Sequence, residues 1–226
     1  MQKIHTTYEE FMSYLKIKPG IVHLNDGIVY KHSPNSEEII QAIEESKTHP
    51  VFKHISIPLS YLKIKDLYFG YTYEFKNDIH LVEDAIYLGI INNINEFISE
   101  LLKIVEELNK LNMCYWDFHR NNIYSDKNGV PFIIDIDDMV YNPTRVNQYH
   151  QVKYLTEYIL NLLLDQEKTL SQFLRDPAMQ KHMSIESMDY IESLIRRTGT
   201  VTTLPYKLIE ELSNPYKREL IKSKIK

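Results

Sequence analysis

The sequence predicts an α+β chain of two lobes: a small β-rich lobe over residues 1–75 with one helix, and a mainly helical lobe over residues 76–226. Three observations predict it. Short apolar runs punctuated by turn residues fill the first 75 residues. One long helix with a single apolar face spans residues 94–111. Directly after it comes a polar stretch, YWDFHRNNIYSDKNGVPFIIDIDDM over residues 115–139, in which carboxylates and an amide gather around a hairpin signal.

The 226 residues suffice for a substantial core. A hydrophobic content of 43% and a charged content of 25% are ordinary for a globular protein. The net charge of −5 argues against a general nucleic-acid binder, whose footprint is a strongly basic face. The single cysteine, Cys114, excludes an internal disulfide framework and points to a reducing compartment. The first twenty residues hold no apolar segment of signal-peptide length. No run approaches the ~18 apolar residues of a membrane span. The expected setting is the cytoplasm, or a host cytoplasm reached without a cleaved signal, with no nucleic-acid and no membrane partner.

Residues 5–12 read as a short helix carrying Tyr8, Phe11 and Met12. Three β-like runs follow, over 13–17, 21–24 and 28–32. Lys18-Pro19-Gly20 separates the first two and Asn25-Asp26-Gly27 the last two; Asp-Gly between apolar runs signals a hairpin. Pro34 and Ser36 open a helix whose Ile39, Ile40, Ala42 and Ile43 share one face, and His49-Pro50 stops it. Strands over 55–64 and 67–75 complete the order β-β-β-α-β-β, a small sheet of five antiparallel strands. A connector over 76–93 carries a short helix near 81–87. Asn93 and Glu96 resemble a capping box at the start of the long helix. A second apolar helix is expected over 152–164, then three or four more broken at Pro177, at 198–203 and at Asn214-Pro215.

Within the polar stretch, short runs over 122–124 and 131–134 flank Asn128-Gly129 and form a hairpin. The hairpin holds Asn122, at the start of one strand, near Asp135, at the end of the other. With Asp117 facing them, the set offers oxygen donors for a divalent metal and a carboxylate to serve as general base. Trp116, the only tryptophan, packs beside this loop.

The spacing resembles the catalytic core of the protein-kinase-like superfamily. There a D-x-x-x-x-N loop supplies base and metal ligand, and a D-F-G or D-x-D turn supplies the second metal ligand. Asp117 and Asn122 match the loop, and Asp135 with Asp137 matches the turn. Ile28-Val29-Tyr30-Lys31 is similar to the family's V-A-I-K in the third strand. The resemblance implies a two-lobed kinase fold and phosphoryl transfer from ATP with Mg²⁺. It implies Asp117 as base, Asn122, Asp135 and Asp137 as metal ligands, and Lys31 on the nucleotide phosphates. It pairs Lys31 with a helix glutamate, Glu38, with Glu37, Glu44 and Glu45 as alternative registers. His119 stands where protein kinases carry lysine and the aminoglycoside- and choline-phosphotransferase branch carries histidine. It either faces the transferred phosphate or bonds a loop carbonyl. Tyr73 becomes the gatekeeper, and the backbone of Glu74, Phe75 and Lys76 faces adenine.

The chain also departs from the family pattern. It has no G-x-G-x-x-G, and Tyr115 stands in place of the histidine of H-R-D. Sixteen residues, 136–151, separate Asp135 from the helix expected at 152, too few for a regulated activation segment, and there is no A-P-E. His150-Gln151 stand where the family begins that helix with Asp. The expected function is an ATP- and Mg²⁺-dependent kinase acting on Ser/Thr hydroxyls of a protein. A small-molecule kinase, favoured by His119 and Asp137, is the first alternative. A pseudokinase serving as a binding module, favoured by the missing glycine loop and Tyr115, is the second. The acceptor is thus a protein or a small molecule, and the oligomeric state is open.

Overall fold

The structure, a computed structural model, describes residues 2–5, 23–25, 28–33, 37–64, 67–74, 76–196 and 201–225. Its larger sheet holds β1 (Gln2–His5), β2 (His23–Asn25), β3 (Ile28–His32), β4 (Ser60–Ile64) and β5 (Leu67–Glu74) in the order β1-β4-β5-β3-β2. The β2/β3, β3/β5 and β4/β5 neighbours are antiparallel, but β1 runs parallel to β4. The sheet is therefore mixed and not the antiparallel one expected. His5 ends a strand instead of opening a helix, because β1 covers the free ladder edge of β4. The rest of the expected 5–12 helix and the expected strand over 13–17 lie outside the described residues.

Helix α1 (Glu37–Ser46) buries Ile39, Ile40, Ala42 and Ile43, as the face pattern requires, and sets Glu37 and Glu38 in its first turn, where the dipole favours acids. A 3₁₀ turn over Pro50–His54 follows. The expected strand over 55–64 is shorter. Ile55 makes only an isolated parallel bridge to Ile133, Pro58 has no N–H to give a ladder, and regular pairing starts at Ser60.

The remaining chain holds β6 (Ile79–Leu81), α2 (Val82–Tyr87) and α3 (Ile94–Lys110). Asn93 caps α3 by accepting the Asn95 amide at 3.1 Å, and donates to Glu96 at 2.9 Å. Phe97, Ile98, Leu101, Val105 and Leu108 of α3 are buried to 1% exposure or less, so this helix is the spine of the core. Each such side chain contributes about 1.5–3 kcal/mol of burial. Then come β7 (Met113–Tyr115), β8 (Ile123–Asp126), β9 (Pro131–Ile133) and β10 (Met139–Tyr141). β8 and β9 form the expected hairpin, with Gly129 at φ +80° and the Asp126 carboxylate accepting the Asn128 and Val130 amides at 2.9 and 2.8 Å. β6 adds a third strand beside β8, and β10 pairs with β7.

Helix α4 (Arg145–Leu164) begins seven residues before the expected 152, because Thr144 and Asn147 form a reciprocal capping box. Helices α5 (Leu170–Arg175), α6 (Pro177–His182), α7 (Ile185–Arg196), α8 (Tyr206–Ser213) and α9 (Pro215–Lys222) complete the described chain. The predicted breaks at Pro177 and Asn214-Pro215 hold. Among the described residues no helix is long and apolar enough to cross a membrane.

One backbone contact ties β3 to β5. A Cβ at Gly70 would lie 1.9 Å from the Lys31 carbonyl oxygen, far inside any allowed contact. Glycine there lets the two strands close on each other directly beside Lys31. Gly70→Ala is expected to force them apart at an overpacking cost of about 1–3 kcal/mol. In a chain of this length that is a fall in Tm of about 2–12 °C. Differential scanning calorimetry reads it, and an unchanged Tm would refute the contact.

Candidate active site

The hairpin does what the spacing predicts. The Ile134 amide donates to the Asn122 carbonyl at 3.0 Å, so Asn122 and the entry to Asp135 are neighbours. Pairing of Met139 with Tyr115 then folds the acidic turn, residues 135–138, over the loop that carries Asp117. Lys31 reaches this turn from β3. Its ammonium bonds Asp135 Oδ2 and lies 2.7 Å from Asp137 Oδ2. The Lys31 side chain is only 9% exposed. Burial pulls its pKa down, but Asp135 and Asp137 outweigh that and hold the ammonium above its ordinary value.

Asp117 is positioned from three sides. Asn122 Nδ2 donates to Asp117 Oδ2 at 2.6 Å. His119 Nδ1 accepts the Asn121 amide at 3.1 Å, so the neutral ring carries its proton on Nε2 and donates it to Asp117 Oδ2, also at 3.1 Å. The Tyr115 hydroxyl donates to the Asp117 carbonyl at 3.0 Å. Oδ1 of Asp117 takes no hydrogen bond from the described residues and is open for a proton.

Two expectations need correction. Lys31 is held by Asp135 and Asp137, while Glu38 stands exposed on the first turn of α1 and makes no bond to it. The acids lie nearer because the turn folds back toward β3, which satisfies the ammonium without the helix. His119 bonds the Asp117 carboxylate and not a loop carbonyl. The residues that the resemblance places at the adenine are partly described. Tyr73, Glu74 and Lys76 line a cleft of about 190 Å³ with Phe132 and Ile134, and Phe75 lies outside the described residues. The Lys76 ammonium sits 5.2 Å from the Phe132 ring centroid. Burial, then the Asp135 and Asp137 charges, pushes the Tyr73 phenol up to about 12.

Tyr71 escaped the sequence, and Trp116 and Gln151, both noted there, gain specific partners. The Tyr71 hydroxyl donates to Asp137 Oδ1 at 3.0 Å. Strand alternation puts Tyr71 on the face of Tyr73, and that was the available signal. Trp116 Nε1 donates to Asp138 Oδ1 at 3.1 Å. Gln151 is 1% exposed, accepts the Tyr115 amide at 2.9 Å and donates to Asn109 at 2.8 Å. The Gln151 side-chain amide therefore anchors the loop to the helical core.

A sheet feeding a lysine to an acidic turn, above a helical body that presents a D-x-x-x-x-N loop, matches solved kinases. A divergent kinase lacking the glycine-rich loop, which regulates membrane ultrastructure of the Toxoplasma parasitophorous vacuole, superposes with a TM-score of 0.51 at 11% identity, over 96% of this chain and 86% of that one. The chain has a protein-kinase-like fold. The ROP18 kinase domain in complex with AMP-PNP and sucrose gives a TM-score of 0.49 at 12% identity, over 87% of this chain and 73% of that one. No protein-family model and no curated protein sequence matches the chain.

Burial, then the nearby Asp117 charge, holds the Asp138 carboxyl above the usual carboxylate range, with the Trp116 bond acting in the opposite direction. The kinase-like fold thus binds that proton more tightly than the unfolded chain does, and Asp138 weighs against folding once pH exceeds its folded pKa. Asp138→Asn keeps the acceptor for Trp116. It is expected to leave Tm unchanged below about pH 3 and to raise it at pH 7. Thermal unfolding at both pH values tests this, and equal Tm for variant and parent throughout contradicts it.

Proposed function

We infer that this chain is a phosphotransferase that moves the γ-phosphoryl group of ATP, with Mg²⁺, to an alcohol hydroxyl of a small molecule. The observation that carries the reading is the meeting of Lys31, Asp117, Asn122, Asp135 and Asp137 at one place beside a cleft bounded by Tyr73, Glu74 and Lys76. The donors fit Mg²⁺ in kind, being carboxylate and amide oxygens. The Lys31 cation between the two carboxylates marks the place as one that favours positive charge. Among the described residues no group of three His, Cys, Asp or Glu forms. Two carboxylates with the Asn122 amide suit an ion that keeps waters and phosphate oxygens as its other ligands. When bound, the ion neutralises phosphate charge.

Asp117 takes the acceptor's hydroxyl proton through its open Oδ1 as the new O–P bond forms and the bond to the departing ADP breaks. His119 and Asn122 hold its other oxygen and keep the carboxylate aimed. Lys31 offsets phosphate charge in competition with the two aspartates.

Two observations favour a small acceptor over the Ser/Thr hydroxyl of a protein. Only residues 142–144 join β10 to α4, which leaves no segment to dock an extended peptide and supports a fold without an activation segment. A second cavity of about 940 Å³ adjoins the loop at His119, within the usual size of a small-molecule site. A second reading, a binding module without turnover, is favoured by the full engagement of both turn carboxylates with Lys31.

Release of ADP from ATP and Mg²⁺, measured against a panel of hydroxyl compounds, separates the readings. The parent is expected to turn over, and Asp117→Asn to lose about 10²–10⁴ in rate with ATP affinity kept. Unchanged turnover in Asp117→Asn would remove Asp117 as the base. Nucleotide binding without turnover by any acceptor would favour the binding module.

A further inference from the structure

The end of the chain and the turn after α6 make a surface that takes no part in the candidate active site. The last twelve residues hold five Lys or Arg against one Glu. Helix α9 packs on α6, so these cations join Lys181 and His182 at the end of α6. Glu211 fixes the junction. It accepts the Ser184 amide at 2.7 Å and the Ser184 hydroxyl at 2.8 Å, and it pairs with Lys217. Ile185, next to Ser184, and Tyr216, next to Lys217, are thereby held on either side of one carboxylate.

Two features meet there. The first is positive charge with no internal use. Lys217 is taken by Glu211, Lys222 by Asp165 and Arg218 by Asn95. The ammonium groups of Lys181 and Lys224 take no ion pair or hydrogen bond from the described residues. The neighbouring acid Glu186 is already paired with Lys207. Burial, then the charges of Lys224, Lys181 and Lys217, pulls the His182 imidazole below its ordinary pKa, so the three ammoniums bear on one place. The second feature is exposed apolar area: Ile185 is 82% exposed and Tyr216 79%. Lysines around exposed aliphatic and phenol side chains suit the headgroup layer of a membrane. The lysine stems lie along apolar area while the ammoniums reach anionic groups, and a tyrosine ring sits at the polar boundary.

Neither cavity reaches this surface. The larger takes Arg218, Glu219 and Lys222 from α9, and neither takes any of residues 181–185 or 216. A peptide needs a groove for its side chains, whereas a bilayer needs only an open face. The other exposed apolar stretch, Ile86, Tyr87 and Leu88, follows Glu83 and Asp84, which an anionic surface repels.

We propose that the face formed by Lys181, Ile185, Tyr216 and Lys224 docks this chain on a membrane carrying anionic headgroups. The two lysines meet the headgroup charges, and Ile185 and Tyr216 enter the interfacial layer. This departs from the sequence-based expectation of no membrane partner, which rested on spanning segments; contact of this kind needs none. It is independent of phosphoryl transfer, because all four residues lie outside the site of Lys31, Asp117 and Asp135.

The net charge of −5 makes adhesion informative, since an anionic bilayer repels the chain as a whole and only a local face can hold it. The test is co-sedimentation of the full chain with vesicles of phosphatidylcholine, alone or with about 30% phosphatidylserine, at about pH 7 and low salt. Binding is expected to be about tenfold or more stronger with phosphatidylserine and to fall as salt is added. Each lysine is worth about fivefold near such a surface, so Lys181→Gln with Lys224→Gln is expected to weaken binding about 25-fold. Ile185→Ser with Tyr216→Ser is expected to weaken it about tenfold. Tyr87→Ser with Leu88→Ser, and Lys127→Gln on the β8/β9 turn, are expected to change nothing. All these side chains are exposed, and equal Tm checks that the fold is kept. Equal binding to both vesicle types, binding that survives both double variants, or equal losses in the controls overturns the proposal. Polyglutamate bound through the same lysines, with no vesicle binding, assigns the face to an acidic protein and also overturns it. ATP affinity is expected to be the same in parent and face variants, so this result and the phosphotransferase reading stand or fall separately.

Discussion

The Lys31 ammonium, set between the carboxylates of Asp135 and Asp137, is the interaction on which the rest depends. It joins positions 104 residues apart and bridges the sheet to the acidic turn of the helical body. Attraction between opposite charges is strong where water is scarce, and Lys31 is well shielded. The cost of shielding it is offset because two acids share it. Around the pair, the fold adds constraints from each side. Gly70 lets β5 lie against β3, and the Tyr71 hydroxyl takes up an oxygen of Asp137. Without the pair, the sheet and the turn would present like charges and an unmatched cation to each other.

Beneath the pair, the loop with Asp117 is held by hydrogen bonds that begin in the helical core. Asn109 of α3 accepts from Gln151 of α4, and Gln151 accepts the Tyr115 amide. Tyr115 then bonds the Asp117 carbonyl and packs its ring edge-on to Phe118 at 5.0 Å. The Asp117 loop is thus tied to two helices that carry much of the buried core. Tyr115 thus links the loop's backbone to the core through its hydroxyl, its ring and its amide.

What the sequence revealed followed how local each signal was. The β8/β9 hairpin, α3 and the convergence of Asn122 with Asp135 were legible, because turn chemistry and helical periodicity act over a few residues. Lys31 was legible once the strands around it were counted. Its partner was not: a lysine on a strand says nothing about which distant acid folds back to meet it, and Glu38 was the nearer candidate in sequence. β1 was missed because QKIH carries no alternation, and its pairing with β4 is a contact across more than fifty residues. The start of α4 was placed late because its first turn is polar, while its cap depends on Thr144 and Asn147. Tyr71 and Gln151 are chemically ordinary in sequence, and only their neighbours give them a role.

The central claim is that Lys31, Asp135 and Asp137 form a nucleotide and metal site. Isothermal titration with ATP, with and without Mg²⁺, on the parent and on Asp135→Ala tests it most directly. The account predicts that the parent binds ATP far more tightly with Mg²⁺ than without it, and that Asp135→Ala abolishes the difference. ATP binding indifferent to Mg²⁺, or a Mg²⁺ effect that survives Asp135→Ala, would contradict it.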